Sequence, residues 1–341
     1  MRTRFTLFIV FAMLLMGVLP NLAQETTYTV LVDGLNNPRG INFDSNGALF
    51  IAEAGLGGDV DIEGPFGPAK YGNTARVSVV VDGQLSTLID YLPSMNMGGE
   101  VVGAMDVLPE ADTLWVVMGH EMKGVTLAGT VVAYNRVSLR PNMIFDPFGY
   151  EHRYDPDGTG ELLSNSTSIA IAPDGLSALI VDASGNSLYR ASVDGALDVV
   201  KAWENNPVPT AVAYNADASQ YAVSFLTGFP FANGAARIEV YDSTNDQLIM
   251  TYEGLSLLTD VMFDDGGVLL AVSYAEFNAQ AGGWQANTGS VVAVTPDGIV
   301  PVLTGLNFPY SIAKHPTENW YAVSVNAVSA EGEGAIITFR P

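Results

Sequence analysis

Gly34-Leu-Asn-Asn-Pro-Arg-Gly-Ile-Asn-Phe-Asp-Ser-Asn-Gly-Ala-Leu-Phe-Ile-Ala-Glu-Ala-Gly55 is the stretch from which the fold can be read. Ile41 and Phe43 alternate with smaller or polar neighbours, Asp44-Ser-Asn-Gly47 makes a turn, and Ala48 to Ala52 is a second apolar run. That pattern is two short strands either side of a tight turn. Weaker copies follow at Ala104–Leu108 with Thr113–Met118, at Ser168–Gly175 with Ala178–Asp182, and at Pro209–Tyr214 with Tyr221–Ser224. Two more lie at Asp260–Phe263 with Val268–Val272 and at Pro309–Ala313 with Trp320–Val323. A third strand-like run follows each copy. Asp82-Gly83, Asp194-Gly195 and Asp297-Gly298 mark hairpins to a fourth strand, because both central residues of such a turn need φ > 0.

Taking Ile41, Val107, Ile169, Val212, Val261 and Ile312 as equivalent gives a period of roughly 43 to 66 residues, within or above that of propeller blades. Six four-stranded units predict an all-β, six-bladed β-propeller. The last unit ends at Phe339 with no room for a fourth strand, while the strand-like Thr26–Val32 has no partner in its own unit. The N-terminal strand is therefore expected to complete the last blade, closing the ring and removing both open edges. A β-sandwich would not explain six copies or the missing strand.

Composition narrows the classes. Hydrophobic residues make up 48% of the 341 and charged residues 15%, so a core is affordable and disorder is not indicated. The net charge of -23 argues against nucleic acid and anionic lipid as partners. Arg2 and Arg4 precede an apolar run from Phe5 to Leu19 and a polar exit at Pro20–Gln24, the pattern of a secretory signal. The expected layout is a signal peptide over 1–24 and one propeller domain over 25–341. The product would be secreted, periplasmic or on the cell surface, monomeric, and not inserted in a membrane after cleavage. With Cys 0, disulfides, thiolate metal sites and a cysteine nucleophile are excluded.

Several segments resemble a known group. Asn37-Pro-Arg-Gly40 with Ile51-Ala-Glu-Ala-Gly55, Val181-Asp-Ala-Ser-Gly-Asn186, and Leu226-Thr-Gly-Phe-Pro-Phe231 followed by Gly234-Ala-Ala-Arg237 look like the ScyD/ScyE family. These are exported, NHL-like propellers, some encoded beside genes for the pigment scytonemin. The resemblance implies export and a propeller, and no established catalytic residues. Asp44-Ser-Asn-Gly47, Asn215-Ala-Asp-Ala218 and His315-Pro-Thr-Glu318 depart from the family's Pro-Asp-Gly inner turns.

The candidate ligand-binding residues are Arg39, Glu53, Asp106, Asp182, Asn186 and Asp260, with the acids expected at strand ends around the central channel, and Phe229 and Phe231 in a compact apolar loop. Related lactonases and gluconolactonases hold a divalent cation there through carboxylates and Asn, which implies Glu53, Asp182 and Asn186 as donors for Ca²⁺ or another divalent ion. The other reading of these side chains is strand capping. Phe229 and Phe231 either line a pocket for an aromatic ligand or cover blade four. Asp59-Val-Asp-Ile-Glu63 reads as a solvated loop. Asp155-Pro-Asp-Gly-Thr-Gly-Glu161 reads as a turn, since Pro156 and the early Glu161 break the spacing of an EF-hand loop. His120, His152 and His315 are dispersed, and no nucleophile elbow, P-loop or dinucleotide fingerprint is present.

Two functions remain open. One is an exported, non-catalytic binding or scaffold module for a small molecule, glycan or exported protein, linked to scytonemin-like secondary metabolism. The other is a divalent-metal-dependent lactonase- or esterase-like hydrolase, or an isomerase, using channel carboxylates.

Overall fold

The computed structural model describes residues 27–172 and 174–340, so the expected signal segment, residues 1–24, lies outside the described residues. Six antiparallel sheets follow one another along the chain as the blades of a β-propeller. Their innermost strands are Pro38–Phe43, Ala104–Glu110, Ser166–Ile171, Pro209–Tyr214, Leu258–Phe263 and Ile312–Lys314. Each touches the next and the sixth touches the first, so the ring is closed. In the last blade Tyr28–Leu35 pairs antiparallel with Gly334–Phe339, from Tyr28 opposite Phe339 to Leu35 opposite Gly334. The N-terminal strand thus supplies the outermost strand of blade six, two residues later than its sequence suggests.

The strands read as nearly continuous apolar runs because both faces of a blade are buried against neighbours. In Leu49–Glu53 every residue is buried: Leu49 and Ile51 join a cluster with Ala313, Ala322 and Ile336 of blade six, while Phe50 and Ala52 pack with Val107, Leu114 and Val116 of blade two. The period-2 alternation is intact, but both sides are apolar. Separate clusters likewise join blades three and four around Val181 and Phe225, four and five around Ile238 and Val261, and five and six around Val272 and Val323. Fully burying one such Ile or Leu stabilises by about 1.5–3 kcal/mol. Stability therefore depends on every interface in turn.

Three segments differ from the sequence reading. The segment around Asp59–Glu63, expected as a solvated loop, contains Val60–Gly64 paired with Gly67–Tyr71, because the third and fourth strands of blade one, Gly67–Val81 and Gln84–Met97, run well past the blade. Asp59–Glu63 is accordingly largely strand rather than loop, and Asp61 pairs with Lys70 at 2.6 Å. The segment before the expected turn at Asp155–Glu161 contains the outer strand of blade two, Pro141–Phe145, followed by the helix α1, Pro147–Tyr154. Asp146 caps that helix by accepting from Gly149 N, and Pro147 opens it, an Asp-Pro signal of a helix start. The inner strand of blade six is short, Ile312–Lys314 rather than Pro309–Ala313.

Antiparallel order divides the two faces of the ring. Turns between first and second strands, such as Asp44–Gly47, lie on one face, here the turn face. The links between blades and between second and third strands lie on the other, the connector face, and these are the long ones.

Candidate functional site

One residue before each equivalent apolar position stands Gly40, Asp106, Ser168, Ala211, Asp260 or Ser311, one per blade. An innermost strand has no strand beyond it, so its channel-side N–H groups need other acceptors. Side chains at this level supply them across blade boundaries. Asp106 Oδ2 accepts from Ile169 N at 3.1 Å, Ser168 Oγ from Val212 N at 3.4 Å, Asp260 Oδ2 from Ile312 N at 2.8 Å, and Ser311 Oγ from Ile41 N at 3.3 Å. The second oxygen of each acid accepts from its own successor, Val107 N or Val261 N, both at 2.8 Å. Ser311 Oγ also donates to Asp260 Oδ2 at 2.7 Å, and Asn42 Nδ2 to Asp106 Oδ1 at 3.3 Å. Gly40 is required where blade two comes close: a Cβ there would stand 2.2 Å from Asp106 Oδ1 and 2.8 Å from its Cα.

Inside this girdle lies a cavity of about 430 Å³. Its wall includes Asp106, Thr167, Ser168, Ala211, Ala213, Thr259 and Asp260; Asp44, Ser45 and Pro316 place its mouth on the turn face. Tyr310 also lines it and belongs to an apolar cluster with Met95, Met105 and Tyr274. Asp106 and Asp260 sit in blades two and five, on opposite sides of a six-membered ring. Burial pushes Asp106 up to about 7, and the charge of Asp260 adds to this; burial pushes Asp260 up to about 6. The volume suits a small molecule, and the wall is unusually polar for one.

The other expected residues serve different places. Arg39 is buried; its Nη2 donates to Val101 O at 2.7 Å and its guanidinium lies 4.9 Å from the Tyr310 ring centre, outside the cavity lining. The rest of its motif closes the ring: Asn37, at φ 52°, donates to Gly55 O at 2.8 Å and accepts from Ser329 N at 2.9 Å. Glu53 is at the connector-face end of a second strand, not an innermost one. It accepts from Arg76 Nε and Nη2, each at 2.7 Å, from Ser78 Oγ at 2.5 Å and from Asn36 N at 2.7 Å. Asp182 holds the same position in blade three, accepting from Ser164 Oγ at 2.5 Å, Asn165 N at 2.7 Å and Gly185 N at 3.0 Å. Blade two separates Glu53 from Asp182 and Asn186, so the structure does not gather these three. Each acid performs the strand-capping role.

Phe231 packs on Phe277 and Trp284 at 5.1 and 5.0 Å between ring centres, and Phe229 remains 76% exposed. The pair covers the Phe277–Trp284 hairpin on the connector face and does not line the cavity. Sequence reasoning missed Ser168, Ser311 and Thr259. A serine or threonine beside an apolar strand residue is commonplace, and only its constant offset from the repeat would have marked it.

No family model and no curated protein matches the chain by sequence, so nothing found supports the ScyD/ScyE resemblance. Solved structures do match. A gluconolactonase from Xanthomonas campestris, described as important in glucose secondary metabolic pathways, is similar over 93% of this chain and 90% of its own, with a TM-score of 0.61 and 13% identity. At that identity the likeness concerns the fold.

Proposed function

We propose that this protein is an exported binding propeller that takes a small, neutral, hydroxyl-rich molecule in the turn-face cavity. The observation that carries this reading is how the two cavity carboxylates are used. Asp106 and Asp260 accept backbone N–H groups of their own and the following blades, a structural use that leaves a polar wall of hydroxyls and acceptors rather than a nucleophile paired with a base. Acceptor oxygens and acidic surroundings favour a ligand rich in hydroxyl donors and disfavour an anion. Export rests on the sequence of residues 1–24. A place in scytonemin-like metabolism rests only on the sequence resemblance.

A second reading has two observations in its favour. Asp106 lines the cavity and burial raises its carboxyl to about 7, within the range of a general base for water attack on a lactone, and the fold is shared with a gluconolactonase. Glucono-1,5-lactone hydrolysis, followed with and without added Ca²⁺ or Mg²⁺ and after EDTA, separates the two. The binding reading expects the uncatalysed rate throughout. Turnover lost in Asp106→Asn and kept in Arg76→Leu would establish the hydrolase instead.

A further inference from the structure

Helix α1 and the loop after it bring three carboxylates together at the edge of blade three. Oxygens of Glu151, Asp155 and Asp157 all lie within 4.8 Å of one another. Glu151 has no exposed surface, and its Oε1 is buried without any hydrogen-bond partner. Its Oε2 lies 3.3 Å from the Tyr189 hydroxyl, which donates to it. A buried carboxylate oxygen with no donor is costly, because water solvates that oxygen in the unfolded chain. Among the described residues no Lys or Arg pairs with Glu151, Asp155 or Asp157.

The neighbours hold the cluster in place without neutralising it. Asn186 Nδ2 donates to Asp157 Oδ2 at 3.0 Å, and Thr159 N and Oγ1 donate to Asp157 Oδ1 at 3.0 and 2.9 Å. Gly160 N approaches the Asp155 carboxylate at 3.1 Å. Gly185 is confined by the site: a Cβ there would stand 2.9 Å from Glu151 Oε2 and 3.2 Å from Asp182 Cγ. Asp182 thus adds a fourth negative charge nearby, although its own oxygens are occupied.

We propose that Glu151, Asp155 and Asp157 bind a Ca²⁺ ion that fixes helix α1 and its following loop to blade three. All-oxygen, carboxylate-rich donors suit a hard divalent cation, and an irregular loop geometry suits Ca²⁺ better than Mg²⁺, which demands a near-octahedral shell. Asn186 is a positioning residue that orients Asp157. None of the three ligands lines the turn-face cavity, so the site is independent of the proposed ligand and of any lactonase activity.

The test is calorimetric titration of CaCl₂ into the full chain after EDTA treatment and gel filtration, with thermal unfolding measured in parallel. The expected result is one ion per chain and a melting temperature that rises with Ca²⁺. Glu151→Gln should lower the affinity at least tenfold. Asp155→Asn, at a more exposed ligand that carries little fold stability, should do the same and guards against misfolding of the first variant. No Ca²⁺ binding by the parent chain, or equal binding by the parent and a folded Asp155→Asn variant, would overturn the assignment.

Discussion

Asp260 in blade five and Ile312 in blade six are joined by a 2.8 Å hydrogen bond from the Ile312 backbone N–H to Asp260 Oδ2. The bond crosses a blade boundary at the channel wall, where no strand is available to pair Ile312. With Asp106 to Ile169, Ser168 to Val212 and Ser311 to Ile41, it forms a girdle that ties consecutive blades together. Asp260→Ala removes the acceptor for three donors, so it should cost about 2–3 kcal/mol. Asp260→Asn, which keeps one acceptor oxygen, should cost less. Urea denaturation checks the order; equal midpoints for Asp260→Ala and the parent would show that the girdle does not bear on stability.

The same acids give a pH signature. Asp106 and Asp260 rise from 3.8 to about 7 and about 6 on folding, so the folded chain keeps protons that the unfolded chain releases. Their contribution is complete below about pH 4 and is lost as pH rises through 6 to 7. Glu151, pushed up to about 8 by burial and by the charges of Asp182 and Asp157, adds the same sign when no cation is bound. The melting temperature of the EDTA-treated protein should therefore fall between about pH 5 and 8. Asp106→Asn should flatten the part of that slope below pH 7, and an unchanged slope would exclude Asp106 as its source.

Glu53 has an opposite design: it is fully buried but bound by Arg76 through two 2.7 Å contacts. Arg76→Leu leaves a buried carboxylate without its cation and should destabilise by about 3–5 kcal/mol. Ligand binding in the cavity should be unaffected in the folded fraction. Chemical denaturation and a binding titration of the same sample measure the two effects separately.

Ring closure depends on Tyr28–Leu35, whose Leu35 is fully buried against blades one and six. Removing residues 1–35 would expose the edge of Gly334–Phe339, and an open edge invites pairing between chains. Light scattering should show self-association of the truncated chain at concentrations where the intact protein does not self-associate.

Six-fold repetition and the closing strand were legible because they follow from strand periodicity and from Gly, Asn and Asp at turns. The three hairpins to a fourth strand form, but only Asp82-Gly83 has both residues at positive φ, while at Asp194-Gly195 and Asp297-Gly298 the glycine alone does. Asp106 and Asp260 were legible as channel acids for the same reason: they fall at one offset within the repeat. Glu53 and Asp182 were misleading. Each ends a second strand, and composition does not show that Arg76 or Ser164 lies beside it. The Glu151 cluster was hidden because its first member belongs to a helix that the strand periodicity does not reveal. Only with Pro147–Tyr154 helical does Glu151 come within reach of Asp155 and Asp157. The Asp-Pro pair at 146–147 was the available signal.

Whether the turn-face cavity binds a ligand is best decided by saturation-transfer NMR. A panel of neutral monosaccharides and polyols would be offered to the parent protein and to Ala213→Phe, which places a bulky ring on the cavity wall. Saturation transfer to at least one panel member is expected with the parent and none with the folded variant. No transfer with the parent, or equal transfer with both proteins, would mean that the cavity is not a binding site for such molecules.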